Sequence, residues 1–195
     1  YIFLYIAVVA LSLPGGLVMT LSGGLLFGWE IAAPATVIAA TAGATIIFLI
    51  AKTSIGEPLA AKAGPWLGKL RDGFRANALS YLLFLRLVPI FPFFVVNLAP
   101  ALLDVPLRTF VIATFLGIIP GTLAFSVAGS GLGSAIEAQN RIYRECLAKA
   151  SASDPECAYA IDVGAVMTTE LIAGFVLLGV VALIPVAMKK WSKRA

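Results

Sequence analysis

Histidine is absent from this chain. That removes Ser–His and His–Asp catalysis and histidine metal ligands from the chemistry this sequence can supply. Acidic residues are few, 10 in 195, and no pair of them falls inside an apolar stretch. Metal-dependent membrane enzymes and carboxylate proton relays therefore lack their groups. Charge of either sign is scarce. Charged residues make up 12% of the chain, against roughly 25% in soluble domains. Hydrophobic residues make up 61%, so most of the chain is expected to meet lipid rather than water. Neither a catalytic site nor a cofactor is expected. The sequence begins at Tyr1, not at methionine, and is read as part of a longer chain.

A membrane crossing needs about 20 apolar residues. Three stretches have that length: Ile31 to Ala51, Pro106 to Ala128 and Val166 to Met188. Residues 1–13 are apolar but too short to cross unaided. Two further apolar stretches are interrupted. "LPGGLVMTLSGGLLFGWE", Leu13 to Glu30, carries Pro14, Gly15 and Gly16 and three more glycines. "LRLVPIFPFFVVNLAPALLD", Leu85 to Asp104, carries Pro89, Pro92 and Pro100 with Arg86 and Asn97. Proline lacks a backbone donor and breaks a helix interior. Broken backbone at membrane depth survives only where protein buries it or where it lines a water-filled cavity.

The net charge of +4 is concentrated beside the apolar stretches, which marks orientation rather than a nucleic-acid surface. Lysine and arginine flank the cytoplasmic ends of spans. They are rich in Lys52 to Asn77 and in the tail "MKKWSKRA", so both segments are expected on the cytoplasmic side and Gly129 to Gly164 outside. Counting crossings then places Arg75, Asp104 and Arg108 on one face. The stretch between them enters and returns without crossing. By the same count Leu13 to Gly28 dips in from the other face. The expected fold class is an all-α polytopic membrane protein. Two opposed re-entrant helical hairpins would form an inverted repeat beside the transmembrane helices. Interrupted segments at corresponding places in two halves are the usual sequence pointer to a transporter site. The expected organisation is a core over 1–128, with re-entrant segments at about 12–29 and 79–104 and an amphipathic surface segment at 52–77. An external loop over 129–165 follows, then a C-terminal helix and basic tail over 166–195.

Cys146 and Cys157, the only cysteines, both fall in the expected external loop. A disulfide there would stabilise it by roughly 3 kcal/mol; two free thiols are the alternative. Arg86 admits two roles. It could act as counter-charge to a phosphate, to which the planar guanidinium is suited, or as an arginine reaching back to the interface. Asn97 could brace backbone groups freed by the prolines or line a polar cavity. Glu30 beside Trp29 reads as an interfacial anchor. Pro120–Gly121 suggests a kink. "GSGLG" at Gly129 to Gly133 resembles half of a dinucleotide loop but has no strand context.

Together, "LPGGLVMTLSGGLLFG", the span after it, the basic segment, "RLVPIFPFFVVN" and "FLGIIPGTLAFSVAGSGLG" resemble the VTT-domain family, the SNARE-associated or DedA superfamily, in its bacterial inner-membrane branch. The resemblance covers about Leu11 to Gly133, and its most specific element is Arg86, Pro89, Pro92 and Asn97 in R-x-x-P-x-x-P-x-x-x-x-N. It implies facing re-entrant loops. It also implies lipid scrambling or undecaprenyl phosphate recycling in support of envelope homeostasis. Expected partners are membrane phospholipids or a polyprenyl phosphate, and a homo-oligomer is compatible with the sequence. The resemblance implies a lipid-binding set of Arg86, Asn97, Pro89, Pro92, Pro14, Gly15 and Gly16. Gly16 stands where relatives carry an acidic residue, and Pro92 where they carry another arginine. The C-terminus is expected to be cytoplasmic. An ion-coupled small-solute transporter and a non-transporting assembly protein are the alternatives.

Overall fold

The computed structural model describes residues 1–53, 77–87 and 92–149, with isolated positions at 67, 70, 73, 74, 169, 172–174, 176 and 177. Every regular element among them is helical: α1 (Ile2–Ala10), α2 (Gly16–Phe27), α3 (Trp29–Ala51), α4 (Asn77–Leu87), α5 (Phe93–Leu102) and α6 (Leu107–Lys149). The order is short, short, long, and then the same again.

The lengths follow from where the chain can continue a helix. At 1.5 Å per residue, α3 extends about 35 Å and suits the roughly 30 Å hydrocarbon layer. The helices α1, α2, α4 and α5 reach only about half-way. The α1–α2 break contains Pro14 and Ser12, whose φ of 52° is costly for a residue with a Cβ. Gly28, at φ 73°, turns the chain from α2 into α3, a backbone region open to glycine at no steric cost. Pro92 caps α5 at φ −56°, the angle its ring imposes. Asp104, at φ 59°, ends the α5 segment before α6.

Threonines inside the apolar helices return their hydroxyl protons to the preceding turn. Thr20 donates to Gly16, Thr41 to Val37 and Thr45 to Thr41, at 2.6–2.7 Å. This satisfies each hydroxyl where there is no water to do so. At the C-terminal end of α3, Lys52 sits 5.4 Å from the Phe48 ring, a position where a cation also meets the negative end of the helix dipole.

Packing crosses between the halves. The broken element α2 lies against the long helix α6 of the second half, and α5 lies against α3 of the first. Phe48 stacks on Phe110 with centroids 4.5 Å apart, joining α3 to α6. Large apolar side chains face outward, among them Phe3, Leu11, Val18, Leu26, Ile31 and Ile38. Such an apolar exterior is costly in water and natural against lipid. Two helices, α3 and α6, are long and apolar enough to cross a membrane among the described residues.

The structure departs from the sequence reading in three places. Gly129 was expected to open an external loop over 129–165, yet α6 runs without interruption to Lys149. Polarity reports what surrounds a stretch, but Ala, Glu, Gln and Arg are also good helix formers. At about 65 Å, α6 exceeds any bilayer core, so its polar end projects beyond it. Second, Leu70 and Phe74 of the expected surface segment are buried in the protein core, Phe74 edge-on to Tyr81 at 5.1 Å. Their apolar side chains cover protein rather than lipid, and Leu67 packs against the same core; apart from these and Gly73, 54–76 lies outside the described residues. Third, α3 starts at Trp29, ahead of the expected Ile31. The last expected span is described only at isolated positions, where Gly174 packs on Ala128 of α6.

Candidate functional site

The broken segments meet. A cavity of about 730 Å³ is lined by Pro14, Gly15 and Gly16 from the α1–α2 break, Arg86 and Leu87 from the end of α4, and Phe93 from the start of α5. Its back wall is one face of α6, with Gly117, Ile118, Gly121, Thr122 and Phe125 recurring at the helical repeat. Tyr5, Val9, Leu13, Leu17, Thr20 and Ala40 complete it. The volume is in the range of small-molecule sites. Its wall is largely apolar, with a few convergent polar groups.

Arg86 is the cation in that wall. Its side chain packs onto α6. Nη2 donates to Thr114 Oγ1 at 2.9 Å, and the guanidinium lies 5.5 Å from the Phe110 ring centroid. Thr114 is 1% exposed. Gly117 makes this approach possible, since a Cβ there would come within 2.8 Å of Arg86 Cβ. The Nε of Arg86 is buried with no hydrogen-bond partner among the described residues. A buried guanidinium N–H without an acceptor is costly, and the group stands ready for an anionic oxygen.

Asn97 belongs to a different place. It is fully buried on α5, does not line the cavity, and neither amide atom has a partner among the described residues. Phe93, one turn earlier on the same face, lines the cavity instead. Leaving a buried amide unpaired costs more than an apolar group of similar size. Asn97→Leu is therefore expected to stabilise the protein by about 1–2 kcal/mol, read as a raised unfolding temperature in detergent. A lowered temperature would show that Asn97 has partners in the membrane.

Pro92 shapes the entry to α5 without lining the cavity. Pro89 lies outside the described residues. So does Cys157, and with it the expected pairing with Cys146, which sits near the end of α6 and is not a free thiol. No cluster able to hold a metal ion occurs among the described residues. A second hollow of about 500 Å³ lies beside Glu137, Asn140, Arg141, Arg144 and Glu145. These are charged and polar residues on the projecting end of α6.

Sequence reasoning passed over Tyr5, Thr20, Thr114 and Gly117. For Gly117 a signal was present: Gly117 and Gly121 are one turn apart in an apolar helix, the spacing of close helix approach. For the hydroxyls there was none, because threonine and tyrosine in apolar helices usually bond locally.

Residues 13–131 match the VTT domain family, a range that includes every cavity residue outside α1. The chain is 41% identical over 130 residues to Transmembrane protein 41 homolog of Dictyostelium discoideum, covering 65% of this chain and 39% of that one. It is 33% identical over 138 residues to Transmembrane protein 41 homolog of Caenorhabditis elegans, covering 67% and 54%. Against human Transmembrane protein 41B it is 27% identical over 137 residues, covering 68% and 46%. The chain spans about half the length of the curated relatives it matches. No solved structure matches it. With its family match spanning more than half of the sequence, this chain, helical throughout the regular elements of its described residues, belongs to the VTT-domain family of membrane proteins.

Proposed function

We propose that the chain moves phosphate-bearing lipids between the two leaflets of its membrane, in support of envelope homeostasis. The observation that carries this reading is the convergence of Arg86 and the Pro14–Gly15–Gly16 break on one cavity. A lipid crossing the bilayer must bring its charged head group through a layer in which an isolated charge is very costly. A cavity with one incompletely paired cation in a largely apolar wall lowers that cost for an anionic head group. The acyl chains stay among the outward-facing apolar side chains. The candidate cargo is a phospholipid or a polyprenyl phosphate. The reading assigns no bond-making step and no cofactor. The expected result is that purified protein in vesicles speeds lipid exchange between leaflets. Exchange no faster than in protein-free vesicles, alongside flux of a small solute, would favour the solute-transporter reading.

The short–short–long order, twice, supports an inverted arrangement in which α1–α2 and α4–α5 dip into the membrane from opposite faces. On this reading Lys52 and Asp104 share the cytoplasmic face with the C-terminus, and Glu30 lies on the other. Single cysteines at these three positions, in a variant lacking Cys146 and Cys157, are expected to label from those sides. Labelling of positions 52 and 104 from opposite faces would overturn the hairpin topology. The relatives above are from an amoeba, a nematode and a mammal. A bacterial inner membrane is thus part of the proposal, resting on the resemblance to that branch.

A further inference from the structure

The cavity wall holds a second polar cluster, separate from Arg86. Tyr5, Gly16 and Thr20 all line the cavity, and Tyr5 and Thr20 are nearly fully buried. Thr20 Oγ1 donates to the Gly16 carbonyl at 2.6 Å, and Tyr5 Oη lies 3.2 Å from the same carbonyl. The two hydroxyl oxygens are 3.0 Å apart. Each hydroxyl has one proton. Two protons thus serve three contacts, and both are used inside the cluster. The Gly16 carbonyl already accepts from both hydroxyls, so what remains is acceptor capacity on the two hydroxyl oxygens. The wall therefore combines a donor-only cation, Arg86, with an acceptor cluster at Tyr5. Such a pair of subsites complements a molecule that is anionic in one part and carries N–H or O–H in another.

We infer that the Tyr5–Gly16–Thr20 cluster selects lipid head groups that carry a hydrogen-bond donor beside their phosphate, such as ethanolamine, serine or glycerol esters, over the quaternary ammonium of choline. The inference rests on the lipid-moving reading above and names its substrate class. Choline has a positive charge but no hydrogen on nitrogen, so it leaves the acceptors unpaired. An aromatic ring attracts either ammonium through its face; the acceptor oxygens alone distinguish them.

The test uses the full chain in vesicles of otherwise fixed composition. Trace lipids carry the fluorophore on an acyl chain, and an impermeant reductant reports their appearance in the outer leaflet. The head-group series is ethanolamine, N-methyl-, N,N-dimethyl-ethanolamine and choline. A donor survives until the third methyl group, so the rate is expected to drop at that step, by about 3- to 10-fold, the span of one net hydrogen bond. A smooth decline with each methyl would mean head-group size is sensed, and overturns the inference. So would equal rates across the series. Tyr5→Phe keeps the ring and removes the oxygen, and is expected to bring the dimethyl and choline rates together; an undiminished gap overturns the role of Tyr5. If no lipid in the series moves faster than in empty vesicles, the lipid-moving reading falls and takes this one with it. Movement without discrimination overturns the selectivity alone.

Discussion

Arg86→Ala is expected to lower protein-dependent lipid exchange in vesicles by about 10- to 100-fold, the span of losing one or two hydrogen bonds to a charged group. The effect has two sources that further variants separate. The guanidinium bonds Thr114, covers Phe110 and lines the cavity. Alanine removes both the packing against α6 and the charge in the wall. Thr114→Val removes the internal bond but keeps the charge, so exchange should fall far less than in Arg86→Ala. Arg86→Lys keeps a cation but loses the planar fork that meets two phosphate oxygens at once, so an intermediate rate is expected. Thermal unfolding in detergent separates lost transport from lost fold. If Arg86→Ala unfolds like the parent and exchanges lipid at the parent rate, the head-group role of Arg86 is wrong.

The second large effect lies where α2 crosses α6. A Cβ at Gly24 would land on the backbone carbonyl of Ser126, and one at Gly129 on the carbonyl of Leu21. The helices touch backbone to backbone, which small residues allow and which supplies van der Waals contact where lipid removes any hydrophobic drive between helices. Backbone cannot rotate aside as a flexible side chain can. Gly24→Ala and Gly129→Ala are therefore each expected to destabilise the protein by about 1–3 kcal/mol, as overpacked cores do. Gly121→Ala supplies the contrast. Nothing lies within 4 Å of a Cβ there. The ordinary preference of helices for alanine should then make the change neutral or stabilising by up to about 1 kcal/mol. Unfolding midpoints in detergent check all three. Equal midpoints for Gly121→Ala and Gly129→Ala would contradict the close crossing. Because α2 also carries Gly16 into the cavity, the destabilised variants should lose exchange as well.

Several features of this protein were legible in the residue order alone. Low charge with long apolar stretches pointed to a membrane protein. Pro14 and Pro92 marked the two interruptions, since a missing N–H acts wherever proline occurs. Arg86 stood out because an arginine in an apolar stretch needs a reason. These are local or compositional properties, so a one-dimensional reading can reach them. The same reading took Gly129 to Gly164 for a loop. Polarity reports what surrounds a segment and not its backbone conformation, and α6 in fact continues to Lys149.

Tertiary packing decided which candidates share a site. Arg86 and Gly16 are distant in the chain but line one cavity, whereas Asn97, close to Arg86 in sequence, turns into the core. The direction of a helical side chain depends on the rotation of its helix against neighbours, set by contacts such as Gly117 on Arg86 and Phe48 on Phe110. The acceptor character of the Tyr5 cluster is likewise invisible in order of residues. It exists because α1 and α2 fold together and use the hydroxyl protons of Tyr5 and Thr20 inside the cluster. The chain by itself determined that it enters lipid, where its helices break and which cation it brings; only the packing of its helices determined what that cation faces.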